Sequence, residues 1–321
     1  MASGMIVRDY DFPFSSATVR NVLAELEQEG YLTHPYTSAG RIPTDKGYRF
    51  YVDRLMEVQE LTQEEESRIE KEYQARRRGL EDVMLQTSKM LSRISHHAGF
   101  ILTPTLDRSF IKHIELVALG EERVLAILVT RAGLIKHKTI HLNYDLRRSQ
   151  LYRISKLLSE KLSGLPLSQV KEEMNRIIEQ ESNKYVNLLQ TAKVLINQAF
   201  APEESEIYLE GSANILASIK EDFYDYAGVK SIFRAIEEKK IIIDIVRRLI
   251  KSEGVKVLIG RENLYPEMKD FSVVSSAYES GSRAVGALGI IGPKRMDYPK
   301  MVALVDFVAK IVNNILDLEG G

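Results

Sequence analysis

Near the start of the chain, residue types that contact DNA occur at a spacing that suits one helix and one loop. Arginine and asparagine can make paired hydrogen bonds to guanine and adenine, and serine and threonine hydroxyls suit base edges and phosphates. An arginine that leaves a loop tip can enter a minor groove or contact a phosphate. The sequence therefore predicts a DNA-contacting surface made of Ser15, Ser16, Thr18, Arg20, Asn21, Thr37, Ser38 and Arg41.

The first five of these residues need a helix to present them, and the sequence predicts one that closes at Gly30. Ser15 and Ser16 suit the N-cap, although no Glu or Gln follows at the spacing of a capping box. Gly30 suits the left-handed residue that ends a helix. A surface helix with a merely solvated polar face has the same pattern, so this segment alone leaves both interpretations open. One apolar stripe is predicted, made of Val19, Val22, Leu23 and Leu26.

The residues after Gly30 favour the DNA-binding interpretation because they predict a two-stranded ribbon. Residues 31–33 and 41–43 flank a tip rich in Ser, Thr, Pro and Gly. Pro43 cannot donate a hydrogen bond to a neighbouring strand and therefore suits an edge strand, such as a wing. A further helix is predicted to begin near Thr44 and to pack its aromatic residues against the ribbon. Together these elements predict a winged helix-turn-helix.

Composition and charge limit the other function classes. The chain has 321 residues, 44% of them hydrophobic and 28% charged, which suits a globular protein of two or three domains. It has no cysteine, so disulfides, thiolate nucleophiles and Cys-based zinc sites are excluded. With no membrane-spanning apolar run and no signal peptide, a cytoplasmic location is expected. Residues 1–56 hold six Lys or Arg against seven Asp or Glu, which predicts few phosphate contacts per subunit.

Neither the histidines nor the glycines have the spacing of a catalytic or cofactor site. His96 and His97 are adjacent and would point in different directions on a helix, and the other four histidines lack metal-ligand spacing. The glycine repeat at residues 286–292 differs from the dinucleotide-binding fingerprint, since Pro293 stands where a helix would have to open. The sequence therefore predicts a protein that is not an enzyme and that needs no metal or cofactor.

Downstream of the ribbon, the pattern predicts an α+β organisation. Residues 57–91 are predicted to form a charged helical connection to a core domain. Strands are predicted over residues 110–142 and 255–291, with a long helical stretch between them and a closing helix over 298–318. Strands divided in this way suggest a domain that carries a second, inserted unit.

Five segments carry a resemblance to a known family. They are SSATVRN at residues 15–21, HPYTSAGRIPTDKGYRFYVD at 34–53, GSANI at 211–215, VLIGREN at 257–263 and GIIGPKRMDY at 289–298. In these segments the chain closely resembles the HrcA family of bacterial heat-shock repressors, and the likeness runs over nearly the whole chain. The resemblance implies a homodimeric repressor that binds double-stranded DNA at an inverted-repeat operator, the CIRCE element, upstream of chaperone operons. It also implies modulation by the GroEL chaperonin.

The resemblance further implies how the chain is divided. A winged helix domain is expected at residues 1–60, linker helices at 61–98, a GAF-like α/β domain at 99–142 and 211–321, and an inserted helical dimerisation domain at 143–210. Family members carry a longer stretch before the first segment, whereas fourteen residues precede Ser15 here. The first helix of the winged helix domain is therefore expected to be missing, and operator binding to be weak or absent.

A ligand-sensing transcriptional regulator is the alternative function. GAF-like folds often hold a small ligand, and the glycines of segments 211–215 and 286–292 would let a ligand approach the backbone closely. The same glycines suit tight turns and close packing. The sequence alone leaves both roles open.

Overall fold

The structure is a computed structural model, and the account below concerns the residues that it describes. These are residues 3–9, 13–34, 40–74, 80–103, 110–131, 133, 135–144, 146–180, 186–199, 206–219, 234, 239–250, 254–279 and 284–320. Thr37 and Ser38, two predicted DNA-contacting residues, lie outside them.

The N-terminal part contains the helix, ribbon and helix that the sequence predicts. In order, its elements are α1 (Ser3–Asp9), α2 (Ser16–Gln28), β1 (Leu32–Thr33), β2 (Ile42–Pro43) and α3 (Asp45–Phe50). The two short strands pair antiparallel, with Leu32 opposite Pro43. Thr44 caps α3, because its side chain accepts a hydrogen bond from the Gly47 amide. A π-helical turn over Tyr51–Leu55 continues α3.

Two helices, α4 (Gln63–Gln74) and α5 (Leu80–Ser95), lead into a five-stranded antiparallel sheet. The predicted helical connection over 57–91 is thus confirmed for residues 63–74 and 80–91, whereas residues 57–62 have no regular structure and residues 75–79 lie outside the described part of the chain. In spatial order the strands are β7 (Ile207–Glu210), β3 (Ala98–Leu102), β10 (Ala284–Pro293), β9 (Phe271–Glu279) and β8 (Lys256–Ile259).

Both faces of this sheet are covered. On one face, Leu288 and Ile290 of β10 pack into a core that includes α5 and α11 (Tyr298–Gly320). On the other face, Ala287 and Ile291 pack into a second core with α9 (Ser212–Ile219) and α10 (Lys240–Leu249). Successive residues of a strand point to opposite faces, so β10 supplies both cores and is buried along almost its whole length. The predicted strands over 255–291 and the closing helix are confirmed.

A second sheet lies in the stretch of chain between β3 and β7. Its strands β4 (Ile111–Gly120), β5 (Arg123–Thr130) and β6 (Ile135–His141) form an antiparallel meander. Three helices follow it: α6 (Arg148–Leu162), α7 (Val170–Gln180) and α8 (Val186–Ala199).

The strands within residues 99–142 belong to two different sheets: β3 lies in the five-stranded sheet, and β4 to β6 form the meander. β4 to β6 pair only with each other among the described strands, and they pack against α6 and α8. Only two and four residues separate the three strands, so each finds its partner next to it in the chain rather than in the five-stranded sheet. The fold as a whole is α+β, and no helix in the described part of the chain is long and apolar enough to cross a membrane.

Candidate nucleic-acid interface

Helix α2 begins as its sequence predicts. The Ser15 hydroxyl accepts a hydrogen bond from the Thr18 amide (3.1 Å) and lies 2.9 Å from the Thr18 hydroxyl. Gly30 has a φ of +79° and ends the helix in the left-handed conformation. Of the predicted apolar stripe, Val19 is buried, whereas Val22 is 48% exposed. The helix is therefore anchored near its first turn, and its stripe is only partly covered.

The N-terminal half of α2 presents a polar surface to solvent. The side chains of Ser16, Thr18, Arg20 and Asn21 are all exposed. The first turn of α2 has no acidic residue. The amide groups and the positive end of the helix dipole can therefore attract a phosphate there. These four predicted residues lie together at one end of one helix.

Arg41 has a different environment from the one expected. Its Nε donates a 2.8 Å hydrogen bond to Glu27 of α2, and its side chain is only 19% exposed. His34, on the other side of the tip, lies 2.5 Å from the second oxygen of the same carboxylate. The hydrogen bonds from Arg41, and then from His34, lower the pKa of Glu27. Arg41 is therefore held against α2 rather than extended away from the ribbon.

Glu27 is a residue that the sequence analysis did not identify. It joins α2 to both arms of the ribbon, through His34 and Arg41. At the base of the ribbon, the Thr44 hydroxyl donates a 2.7 Å hydrogen bond to the Gly30 carbonyl. The partners of Glu27 are seven and fourteen residues away. Helical periodicity does not predict these contacts, because α2 ends at Gln28, before either partner. The turn that follows the helix brings the residues together.

One group of side chains, on β4 and α6, has the composition of a hydrolase triad. The Ser159 hydroxyl lies 3.1 Å from Nδ1 of His113, whose Nε2 lies 3.0 Å from Glu115. However, the same hydroxyl donates to the Ile114 carbonyl (3.0 Å) and accepts from the Ile114 amide (3.1 Å). Ser159 therefore fixes α6 to β4 and is not poised as a nucleophile. Among the described residues, no group of three or more His, Asp or Glu could hold a metal ion.

The glycines that were candidates for a ligand site pack against the protein itself. A Cβ on Gly286 would collide with the Tyr278 ring, and one on Gly289 with the Val274 carbonyl and Phe100. Gly292 faces the His97 ring in the same way. Tyr278 is fully buried, and its hydroxyl donates to the Leu102 carbonyl. These glycines serve close packing of β10, and the structure offers no specific support for a ligand at them.

Comparisons with known proteins agree with the resemblance in the five segments. Residues 81–302 match the family described as HrcA protein C terminal domain. The heat-inducible transcription repressor HrcA of Geobacter sulfurreducens is 38% identical, over 99% of this chain and 93% of that protein. The repressor of the same name from Pelotomaculum thermopropionicum is 34% identical, over 99% of this chain and 91% of that protein.

A solved structure supports the fold independently. It is a crystal structure at 2.2 Å resolution of a protein described as hypothetical, with a TM-score of 0.58 and 22% identity. The alignment covers 99% of this chain and 93% of that one. With a family match over most of its length and relatives above 30% identity, the chain belongs to the HrcA family of heat-inducible transcription repressors, which is not a family of enzymes.

Proposed function

We propose that the chain represses heat-shock chaperone operons by binding, as a homodimer, to an inverted-repeat operator of the CIRCE type. The observation that carries this proposal is the exposed polar end of α2, with Ser16, Thr18, Arg20 and Asn21 beside a two-stranded ribbon. A helix that presents such residues from its N-terminal end suits the recognition helix of a winged helix-turn-helix.

Each predicted contact residue has a role in this proposal. Arg20 and Asn21 contact base edges, because their side chains are exposed and suit paired hydrogen bonds. Ser15 and Thr18 bind each other in the N-cap, so we assign them, with Ser16 and the first amides of α2, mainly to phosphates. Thr37 and Ser38 are assigned to the wing tip. Arg41 acts first by holding the ribbon on Glu27.

The remaining chain supplies symmetry and regulation in the proposed protein. We assign the five-stranded sheet domain to the GAF-like fold and the unit from β4 to α8 to dimerisation. That unit exposes several large apolar side chains, as expected of a surface that pairs with a second copy: Val117, Leu119, Ile135, Tyr144, Tyr152 and Val194. A two-fold dimer suits an operator with two-fold symmetry.

Fluorescence anisotropy with an inverted-repeat operator and a scrambled duplex of equal length, at two salt concentrations, tests the DNA-binding part. The proposal requires tighter binding to the operator than to the scrambled duplex, even where the affinity is as weak as the shortened first segment implies. The fall of log K with log salt should be shallow, because residues 1–56 are not basic. Equal, weak binding to both duplexes would contradict the proposed activity of this chain.

Modulation by the GroEL chaperonin and action in the cytoplasm complete the proposal. The partly uncovered apolar stripe of α2, with Val22 exposed, is the kind of surface that a chaperonin binds. The fraction of repressor that binds operator is expected to rise when the chain is refolded with GroEL and ATP rather than with ATP alone. An unchanged active fraction would remove the chaperonin from the proposal.

A further inference from the structure

Helix α3 lies between the N-terminal elements and the five-stranded sheet domain. Toward the N-terminal elements, Lys46 donates a 2.7 Å hydrogen bond to the Glu29 carbonyl and lies 4.1 Å from the centre of the Tyr31 ring. The Phe50 ring meets the same Tyr31 at 5.3 Å, edge to face. A Cβ on Gly47 would collide with the Tyr31 carbonyl. The turn that ends α2 is thus packed directly on α3.

On its other side, α3 reaches the sheet domain through Arg49. The guanidinium binds both carboxylate oxygens of Glu262, with Nε donating to Oε1 over 2.9 Å. Its Nη2 also donates to the Val257 carbonyl over 2.6 Å. The two side chains are 29% and 33% exposed. A partly buried contact made through two hydrogen bonds fixes the angle between the guanidinium and the carboxylate as well as their separation. Salt weakens such a contact less than it weakens an exposed ion pair.

A second ionic contact lies one helical turn away. Asp45 accepts a 2.9 Å hydrogen bond from the Lys294 ammonium and a 3.1 Å hydrogen bond from the Arg261 amide. Lys294 also lies 3.7 Å from Asp270. Gly260, with a φ of +54°, leaves room for the Asp45 carboxylate, since a Cβ there would lie within 2.7 Å of it. Asp45 and Lys294 are about three-quarters buried, at 26% and 24% exposure.

Apolar contacts run between the two ionic ones. The Tyr48 ring lies 6.2 Å from that of Tyr298, the first residue of α11. Val52 and Met56 pack against the core on the same side. The sheet domain thus contacts α3 through two ionic contacts and the apolar contacts between them. α3 in turn packs against the end of α2.

We infer that Asp45, Arg49, Glu262 and Lys294 form a latch that sets the orientation of the recognition helix relative to the sheet domain. They are positioning residues, and the inference rests on the proposed function. A dimer on an inverted repeat must place two recognition helices at a fixed separation. Rotation of α2 about a loosened α3 therefore lowers affinity for the operator, while contacts to DNA of unrelated sequence persist.

Two substitutions on the sheet domain test the latch without touching the proposed DNA-contacting residues. Glu262→Arg places a second guanidinium against Arg49, and Lys294→Glu places a carboxylate against Asp45 and Asp270. Matched controls on the exposed face of α11 change the net charge equally: Asp306→Lys for the first and Lys310→Glu for the second. Circular dichroism and the melting temperature verify that each variant folds.

The orientation itself is measured by electron–electron distances between two spin labels. The chain has no cysteine, so Gln28→Cys on α2 and Asn314→Cys on α11, both exposed, give specific labelling. Excess unlabelled chain suppresses distances between subunits. One narrow distance distribution is expected for the unsubstituted latch and for both controls. Glu262→Arg and Lys294→Glu should each broaden it.

The same variants are then titrated with operator and scrambled duplexes. Each latch variant should lose about tenfold in operator affinity, or about 1.4 kcal/mol, whereas binding to the scrambled duplex stays close to that of its control. Narrow distributions in both variants, or broad ones with unchanged operator affinity, would overturn the latch. If the unsubstituted chain does not prefer the operator, the proposed function fails, and the distance measurement still decides whether the latch orients α2.

Discussion

At the scale of single residues, some of the predicted DNA-contacting side chains are exposed, and others already form hydrogen bonds within the protein. Ser16, Arg20 and Asn21 project from α2 into solvent. Ser15 is occupied by the N-cap, and Arg41 by Glu27. An exposed side chain can meet a base edge without losing a contact, whereas one that already forms hydrogen bonds is less free to do so. Base recognition is therefore expected to depend mainly on Arg20 and Asn21.

The first prediction concerns Arg20. Arg20→Ala should lower operator affinity by roughly 1–3 kcal/mol, the range for one good base contact, and should leave binding to a scrambled duplex nearly unchanged. Anisotropy titration of both duplexes measures this. Arg54→Ala, which removes the same charge from the exposed turn after α3, is the control. An equal loss on both duplexes would make Arg20 a phosphate contact.

The second prediction concerns the acid dependence of the ribbon. Arg41 and His34 lower the pKa of Glu27 below its usual value of 4.5 in the folded chain. The ionised carboxylate therefore stabilises the fold at pH above about 4.5, and this contribution disappears as the pH falls through the lower, folded-state pKa. Glu27→Gln should be less stable than the parent at pH 6, with a difference that shrinks toward pH 3.

Chemical denaturation of the two proteins between pH 6 and pH 3 measures that difference. Glu25→Gln is the matched control, since Glu25 lies on the exposed side of the same helix. A Glu27→Gln variant as stable as the parent at pH 6 would show that the contacts with Arg41 and His34 do not hold the ribbon.

At the scale of elements, α3 is the connection on which the N-terminal part depends. It is six residues long, too short to be stable on its own. Its stability comes from the Thr44 cap, the Tyr31 and Phe50 contact, and the ionic contacts with the sheet domain. Because α3 is short and is packed on both sides, a displacement of α3 relative to the sheet domain also displaces the end of α2.

Gly47→Ala tests this element. Alanine is favoured over glycine in a helix by roughly 1 kcal/mol, but here its Cβ would collide with the Tyr31 carbonyl. We expect a net destabilisation of about 1–3 kcal/mol, typical of overpacking, together with weaker operator binding. Gly4→Ala in α1, where a Cβ meets no atom within 4 Å, should be neutral or stabilising. A Gly47→Ala variant that is more stable than the parent in chemical denaturation would contradict the packing of Gly47 against Tyr31.

At the scale of the whole molecule, the chain separates the tasks that the proposed function needs. The candidate recognition elements precede the five-stranded sheet in the chain, and the unit from β4 to α8 lies between two strands of that sheet. A dimer formed through that unit would carry two copies of α2 at a separation set by two sheet domains and two latches. In the proposed dimer, the spacing between half-sites would therefore be set by the whole assembly.

That geometry predicts a strict dependence on the distance between half-sites. Five additional base pairs rotate one half-site by about half a turn of DNA and should reduce operator affinity to that of scrambled DNA. Ten additional base pairs return the two half-sites to the same side of the DNA and should recover part of the lost operator affinity. Gel-shift titrations with the three duplexes measure the effect. Equal affinity for all three would mean that the two subunits do not bind together.

Much of this organisation could be predicted from the sequence because its determinants are local. The caps at Ser15 and Thr44 and the left-handed Gly30 depend on neighbours within a few residues. The five family segments likewise identified the family from contiguous residues. Local rules of this kind determined the α+β class, most of the elements and the position of the candidate recognition helix.

Tertiary structure alone decided which distant residues meet. The pattern marked strands in residues 110–142 but could not assign them to a sheet, because strand pairing depends on partners that propensity does not encode. The sequence pattern predicted neither the hydrogen bond from Arg41 to Glu27 nor the contact of Arg49 with Glu262, 213 residues away. The sequence by itself determined the parts and the family, and only the folded chain determined how α2 is oriented, since that depends on contacts that close over long loops.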